Sequence, residues 1–338
     1  MKPIDLPPSR PGLPRCPCCG ASGSSTFLFS IPYRVIWNLL AEEWQAVFSE
    51  EVIRRHTPAE AASLFLCREC GLQFFDPPTA GDEGFYRELG GSPLYYSPWK
   101  WEFGWVRERL SREMEVLDVG CGKGDFLAHI ATVVRRAAGL EQNTNAAAAA
   151  AARGLEVIAG NLAVYAERHA GSFDAVCAFH VVEHLTDVVP FLHHLSRCLR
   201  PGGQVFLSVP NRDRYYRKPV EPLDCPPHHL SRWTPEQLRR LGNLAGMRIL
   251  EISIQPVDVN LIREEIPAGI RRRLETIPVA GGFLGLWSTR ILARTVFRES
   301  LRSLYERSGI FDRMGFQGVN VAARYAKAES SRGGEKGE

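Results

Sequence analysis

From Glu115 onward, short apolar runs alternate with stretches of helical periodicity. EVLDVG reads as a strand, followed by a glycine turn and a helix near Asp125 to Val134. RAAGLE is a second strand that leads into an alanine-rich helix. LEVIAG is a third strand and FDAVCAFH a fourth. Val188 to Leu199 predicts a helix, QVFLSVP a fifth strand, Thr234 to Gly246 another helix, and RILEISI with GVNVAARYA the last two strands. A long helical insertion at 261–313 separates those two. Seven strands alternating with helices at this pitch predict an α/β fold, a mostly parallel sheet covered by helices on both faces.

The N-terminal part has a different texture. A cysteine-bounded module over 16–80 encloses one predicted helix, Tyr33 to Arg55, whose apolar positions run from Val35 and Ile36 through Leu39, Leu40, Trp44 and Val47 to Val52 and Ile53. Asp76, Pro77, Pro78 and Gly81 punctuate a linker. An aromatic-rich stretch from Phe85 to Val106 then opens the larger domain, 85–326. Residues 1–15 carry five prolines and 328–338 lack large apolar side chains, so both ends are expected to be disordered. The run Ala146 to Ala152 favours helix and close packing, and carries no chemistry.

The chain has 338 residues, 45% hydrophobic and 23% charged, which excludes a disordered, collagenous or coiled-coil protein. With 41 basic and 38 acidic residues, charge alone does not suggest a nucleic-acid partner. Nine cysteines, crowded into two clusters with four scattered singles, do not form a disulfide framework. The N-terminus has no apolar segment resembling a secretion signal, and no apolar run approaches 18 residues. A reducing cytoplasm is the expected compartment.

Candidate chemistry begins at the end of the first strand of the large domain. Asp118, Gly120, Cys121, Gly122 and Gly124 form a D-x-G-x-G-x-G turn that opens a helix and lets backbone approach a ligand. Its spacing is neither the dinucleotide fingerprint nor a phosphate loop. A second acid, Glu141, ends the second strand about 20 residues later, where a carboxylate can accept both hydroxyls of a ribose. Asn161 follows the third strand, placed for an adenine edge, and Phe179 with His180 follows the fourth. Ligands of open α/β sheets bind at this carboxyl edge, so the signals converge on an adenosine-like site.

LDVGCGKGDF, GLEQN, FDAVCAFHVVEHL, LRPGGQVFLSVPN and GVNVAARYA together resemble the ordered motifs of class I S-adenosylmethionine-dependent methyltransferases. The similarity covers about residues 85–326 and is greatest to the bacterial small-molecule group with EHL and LxPGG signatures. It implies a Rossmann-like seven-stranded fold. It further implies that Asp118, Gly120 and Gly122, in the turn that includes Cys121, line the methionine and ribose part of the cofactor. Glu141 would take the ribose hydroxyls, Gln142 and Leu162 the adenine faces, Asn161 the adenine edge, and Phe179 with His180 the sulfonium region. Many relatives carry aspartate where this chain has Asn161. The implied activity is methyl transfer to a small molecule, with O-methylation expected, and C-methylation or modification of RNA or protein as alternatives. Against RNA, no basic stripe interleaves with aromatics, and FHVVEHL stands where an Asn-Pro-Pro-Tyr motif would follow the fourth strand.

Two C-x-x-C-G knuckles, Cys16 to Gly20 and Cys67 to Gly71, leave 47 residues between Cys19 and Cys67. Four thiolates from Cys16, Cys19, Cys67 and Cys70 would fill a tetrahedral structural zinc, and the glycines let the chain turn beneath the sulfurs. Cys18 is an alternative to Cys19. The length between the knuckles requires a zinc ribbon that accommodates the 33–55 helix as an insertion.

An acceptor that must lose a proton needs a base at the carboxyl edge. His180, the Glu183 and His184 pair, and His228 with His229 in PLDCPPHHLSRWT qualify. The last pair is the favoured choice and His184 the next. His56, His129, His169, His193 and His194 lie on predicted helices as surface or packing residues. The 261–313 insertion holds ten arginines and six acids around IPVAGGFLGLW, too short to span a membrane. It reads as a lid or homodimer surface, or more sharply as a site of attraction to an anionic lipid surface or substrate.

Overall fold

The computed structural model describes residues 12–95, 98–214, 220–256 and 317–327. The basic insertion at 261–313, the tail 328–338 and residues 1–11 lie outside the described residues.

The N-terminal module consists of β1 (Ser25–Pro32), α1 (Tyr33–Trp44), α2 (Glu50–Arg55), β2 (Ala61–Cys67) and β3 (Gln73–Asp76), with β1, β2 and β3 paired antiparallel. The single helix predicted over 33–55 is therefore two. Gln45 adopts a left-handed conformation (φ 51°) that closes α1, and the Ser49 hydroxyl caps α2 by accepting from the Val52 amide. Apolar periodicity continues through this break because Ala46 and Val52 join the same buried cluster as Ile36 and Leu40. Periodicity alone cannot distinguish a bent pair of helices from one straight helix.

Two helices, α3 (Glu83–Leu89) and α4 (Trp101–Arg107), lead into the larger domain. There β4 (Glu115–Val119), α5 (Asp125–Ile130), β5 (Arg136–Glu141), α6 (Thr144–Ala152), β6 (Glu156–Ala159), α7 (Leu162–Arg168), β7 (Phe173–Phe179), α8 (Val188–Cys198) and β8 (Leu199–Pro210) alternate as the pattern predicts. After β9 (Ser231–Arg232) come α9 (Pro235–Leu244), β10 (Met247–Ile254) and β11 (Asn320–Lys327). The seven-stranded sheet has the order β10-β11-β8-β7-β4-β5-β6, and β11 alone runs against its neighbours. Strand alternation builds two cores. Val205, Leu207 and Val209 of β8 face one side, while Phe206 faces the other with Phe103, Trp105 and Phe126.

The short strand β9 belongs to the other sheet. It pairs with β3, Gln73 opposite Arg232 and Phe74 opposite Ser231, to complete the order β1-β2-β3-β9. Further bonds join the two parts: Phe75 N–H donates to Leu230 O at 2.9 Å, Gly81 N–H to Pro227 O at 2.8 Å, and Val188 N–H to Pro17 O at 3.2 Å. Cys16, Cys67, Cys70 and Phe74 share a buried cluster with Trp233, Leu238 and Leu241 of the larger domain. One core thus runs through both modules.

Candidate functional site

Parallel strands deliver their carboxyl ends to one edge, and the turn after β4 lies there. Gly120, Gly122 and Gly124 take φ values of 76°, 54° and 80°, a region that side chains disfavour, so the backbone can curl around open space. A Cβ on Gly120 would also lie 2.8 Å from Val181. Glu141 braces this turn. Its Oε2 accepts from the Gly122 amide and its Oε1 from the Asn143 amide, both at 2.8 Å. The ribose role expected of Glu141 must therefore use the lone pairs that those bonds leave. Asn161 is the N-cap of α7, its Oδ1 accepting from Ala163 N–H at 2.8 Å, which leaves only its amide donors for the adenine role expected of it. Leu162 is buried and Gln142 exposed at the same edge. Asp118 is buried, and burial raises its carboxyl to about 8, with Lys100 opposing and Glu141 adding to the shift.

The fourth strand ends in Phe179, packed between Phe103 and Phe126 at centroid distances of 5.4 and 4.8 Å. His180 follows with a left-handed backbone (φ 54°), held by its amide bond to Ser208 O at 2.9 Å. Its Nε2 lies 2.5 Å from Oε1 of Glu102, a fully buried carboxylate of α4 that also accepts from Ser208 Oγ at 3.2 Å. Burial and Lys100 oppose charge on His180, but Glu102 and Glu183 outweigh them and raise its pKa.

Beyond His180 lies a knot of histidines. The turn Val182–His184 and the loop before β9 bring His184, His228 and His229 together with ring centroids 4.2 to 4.9 Å apart. His184 Nδ1 lies 2.5 Å from His228 O, and Tyr86 OH lies 2.9 Å from the same nitrogen. A carbonyl only accepts, so the proton sits on Nδ1 and the Nε2 lone pair is left. His228 Nδ1 donates to Leu223 O at 2.8 Å, and its Nε2 accepts from Tyr95 OH at 2.9 Å. His229 is flanked by Asp224 at 3.6 Å from Nδ1 and Glu183 at 3.8 Å from Nε2. Burial lowers His184 to about 4 and His228 well below the ordinary imidazole value, with neighbouring imidazoles adding to the effect on His228. Both are neutral at physiological pH. Burial pushes the Glu183 carboxyl up, but the neighbouring imidazoles, His180 foremost, overcome it and lower it to about 2. Neither Glu183 oxygen accepts a hydrogen bond, because His180 Nδ1, 3.3 Å from Oε1, is in ion-pair range without hydrogen-bond alignment.

A single cavity of about 490 Å³ runs between the glycine turn and this knot. Asp118, Gly120, Cys121, Gly122, Phe179, His180, His184, His228 and His229, all named from sequence, line it. Sequence reasoning missed Trp44, Tyr95, Lys100, Arg214, Glu221 and Asp224, which also line it. Trp44 comes from the N-terminal module, where its indole donates to Glu221 at 3.1 Å. Arg214 pairs with Asp224 at 2.7 Å.

On the far side of β3 the two knuckles meet. One sulfur from each of Cys16, Cys19, Cys67 and Cys70 lies within 4.8 Å of the others, with Cys16 to Cys70 at 3.6 Å and Cys19 to Cys67 at 3.5 Å. Tetrahedral ligation at Zn–S distances of about 2.3 Å requires sulfurs about 3.8 Å apart, so this donor set fits zinc. The Gly20 and Gly71 amides donate to Cys16 O and Cys67 O at 3.0 and 2.9 Å, closing each knuckle.

Residues 102–252 match the family model described as a methyltransferase domain. This stretch, somewhat under half of the chain, is therefore similar to a methyltransferase domain. Among curated relatives, a probable S-adenosylmethionine-dependent methyltransferase of Mycolicibacterium smegmatis is 36% identical over 43% of this chain and 57% of its own length. A ubiquinone biosynthesis O-methyltransferase of Sodalis glossinidius is 33% identical over 29% of this chain and 42% of its own length. The chain thus spans about half the length of these relatives. A solved S-adenosylmethionine-dependent methyltransferase from Archaeoglobus fulgidus, 19% identical, superposes with a TM-score of 0.44 over 67% of this chain and 94% of that one. The methyltransferase domain contributes the glycine turn, Glu141 and the histidine at the end of β7. The N-terminal module adds a wall to its cavity. Among the described residues no helix is long and apolar enough to cross a membrane.

Proposed function

We propose that the protein transfers a methyl group from S-adenosylmethionine to a small-molecule acceptor, with an acceptor oxygen as the expected site. The observation that carries this reading is the one cavity joining a braced glycine turn to a buried imidazole knot. When bound, S-adenosylmethionine supplies an electrophilic methyl group on its sulfonium. Gly120, Gly122 and the Glu141 carboxylate would hold the ribose and methionine parts, Leu162 and Asn161 the adenine, and Phe179 would keep water from the reacting end.

His184, His228 and His229 face the acceptor, which loses its proton at that knot. The isolated-base role expected for His228 or His229 takes a different form here. His228 is depressed in basicity and hydrogen-bonded at both nitrogens, so the imidazoles act as a group. Similarity to the ubiquinone biosynthesis O-methyltransferases favours oxygen over carbon.

Cys16, Cys19, Cys67 and Cys70 would hold a structural zinc remote from the acceptor. Its effect reaches the site through β3 and β9, which set the position of the His228 and His229 loop. The test is transfer of labelled methyl from S-adenosylmethionine across a panel of hydroxylated and carbon-acid acceptors, with calorimetric binding of S-adenosylhomocysteine. Absence of both binding and transfer would refute the reading.

A further inference from the structure

The histidine knot has the composition of a metal centre. One ring nitrogen from each of His184, His228 and His229 lies within 4.8 Å of the other two. Ligation at metal–nitrogen distances of about 2.1 Å needs nitrogens about 3.4 Å apart, so the rings need close by no more than about 1.4 Å. Each ring already has an outer partner on its Nδ1 side: His228 O for His184, Leu223 O for His228 and the Asp224 carboxylate for His229. Metal-bound histidines are held in this way, with one nitrogen on a carbonyl or carboxylate and the other on the cation.

A second observation points to positive charge. Glu183 is 1% exposed, both its oxygens lack a hydrogen bond, and it lies against His180 and His229. Glu102 and Glu183 share one imidazole, His180, between them, while Asp224 has Arg214. Glu183 therefore lies buried beside the imidazole cluster, with no hydrogen bond on either oxygen. A buried carboxylate that accepts no hydrogen bond is costly unless a cation lies beside it.

We infer that His184, His228 and His229 bind a divalent cation of the imidazole-preferring class, zinc foremost, with Glu183 balancing its charge. The Tyr95 hydroxyl gives up the His228 Nε2 lone pair to the ion. Three imidazoles leave one tetrahedral position open toward the cavity, where the acceptor oxygen binds directly. The ion polarises the acceptor O–H bond, whose proton leaves to cavity water while its electron pair stays on oxygen. This deepens the methyl-transfer reading and rests on it for the acceptor, whereas the metal itself can be tested without turnover.

Untagged full-length protein, purified without chelator, is titrated with cobalt(II), and bound metal is counted per chain. Cobalt at the four cysteines gives thiolate-to-metal charge transfer; cobalt at the imidazoles gives ligand-field bands without it. The expected result is a second equivalent lacking thiolate charge transfer, bound at least tenfold more weakly in His229→Ala, His184→Ala and Glu183→Gln. Parent protein that takes up no such equivalent at submillimolar cobalt overturns the proposal, as does an equivalent whose affinity none of the three substitutions changes. S-adenosylhomocysteine calorimetry on the same samples separates the two readings, since its failure refutes methyl transfer while the cobalt count still decides the metal.

Discussion

Replacing Glu141 with alanine removes two bonds that exist before any ligand arrives, those accepted from the Gly122 and Asn143 amides at 2.8 Å. Hydrogen bonds to a charged group contribute about 1.5 to 3 kcal/mol each. Glu141 is only half-buried, so the free protein should lose about 2 to 4 kcal/mol, read as a lower urea midpoint with unchanged slope. Ribose hydroxyls would use the remaining lone pairs, in bonds of the same strength. Affinity for S-adenosylhomocysteine should then fall by about tenfold to a thousandfold. Glu141→Gln separates the two roles: it keeps one acceptor oxygen for the turn but sets an amide donor against the other N–H. It should cost less stability than alanine while still weakening binding by about tenfold. Urea unfolding of the free proteins and calorimetry of the folded ones supply both numbers. If the alanine variant is destabilised yet binds with parent affinity, Glu141 braces the turn and nothing more.

Three further outcomes are expected. Alanine at both His228 and His229 should lower turnover by about 10² to 10⁴ with S-adenosylhomocysteine affinity nearly unchanged, which steady-state kinetics and calorimetry check. Cys70→Ser should lower the zinc content by one per chain, counted by elemental analysis, and raise the acceptor KM while cofactor affinity is retained, because β3 carries the effect to the histidine loop. Asp118, raised to about 8 by burial, takes up a proton on folding, so its contribution to stability is present below the ordinary carboxylate range and lost as pH rises through about 8. Asp118→Asn should gain on the parent by on the order of 5 kcal/mol between pH 4 and pH 8.5, and urea midpoints differing equally at the two pH values would refute this.

The larger sheet was legible because its central strands are buried on both faces and write themselves as apolar runs: EVLDV and FDAVCAF each fill one strand, and VFLSVP the second half of a third. The cofactor end was legible for the same reason, since glycines and acids at strand ends keep a fixed spacing. The acceptor end was only half so. His184, His228 and His229 announce themselves by residue type, but Trp44, Tyr95, Glu102 and Asp224 come from segments whose local patterns read as helix packing or loop. Two-residue β9 carries no periodicity at all, and its pairing with β3 depends on tertiary contacts. The break at Gln45 escaped because a left-handed glutamine is set by what the chain must reach next, not by a local preference.

The dependence of the N-terminal sheet on β9 has a consequence during synthesis. Strands β1 to β3 leave the ribosome first, yet the free edge of β3 finds its partner only after about 155 further residues have been made. At about 5–20 residues per second this interval is roughly 8 to 30 s, during which Gln73 to Asp76 present an open edge on the nascent chain. Early occupation of the four cysteines would keep the knuckles folded through that wait. The module is therefore not a portable cassette: grafted onto another protein without residues 222–233, it would carry an unpaired edge permanently.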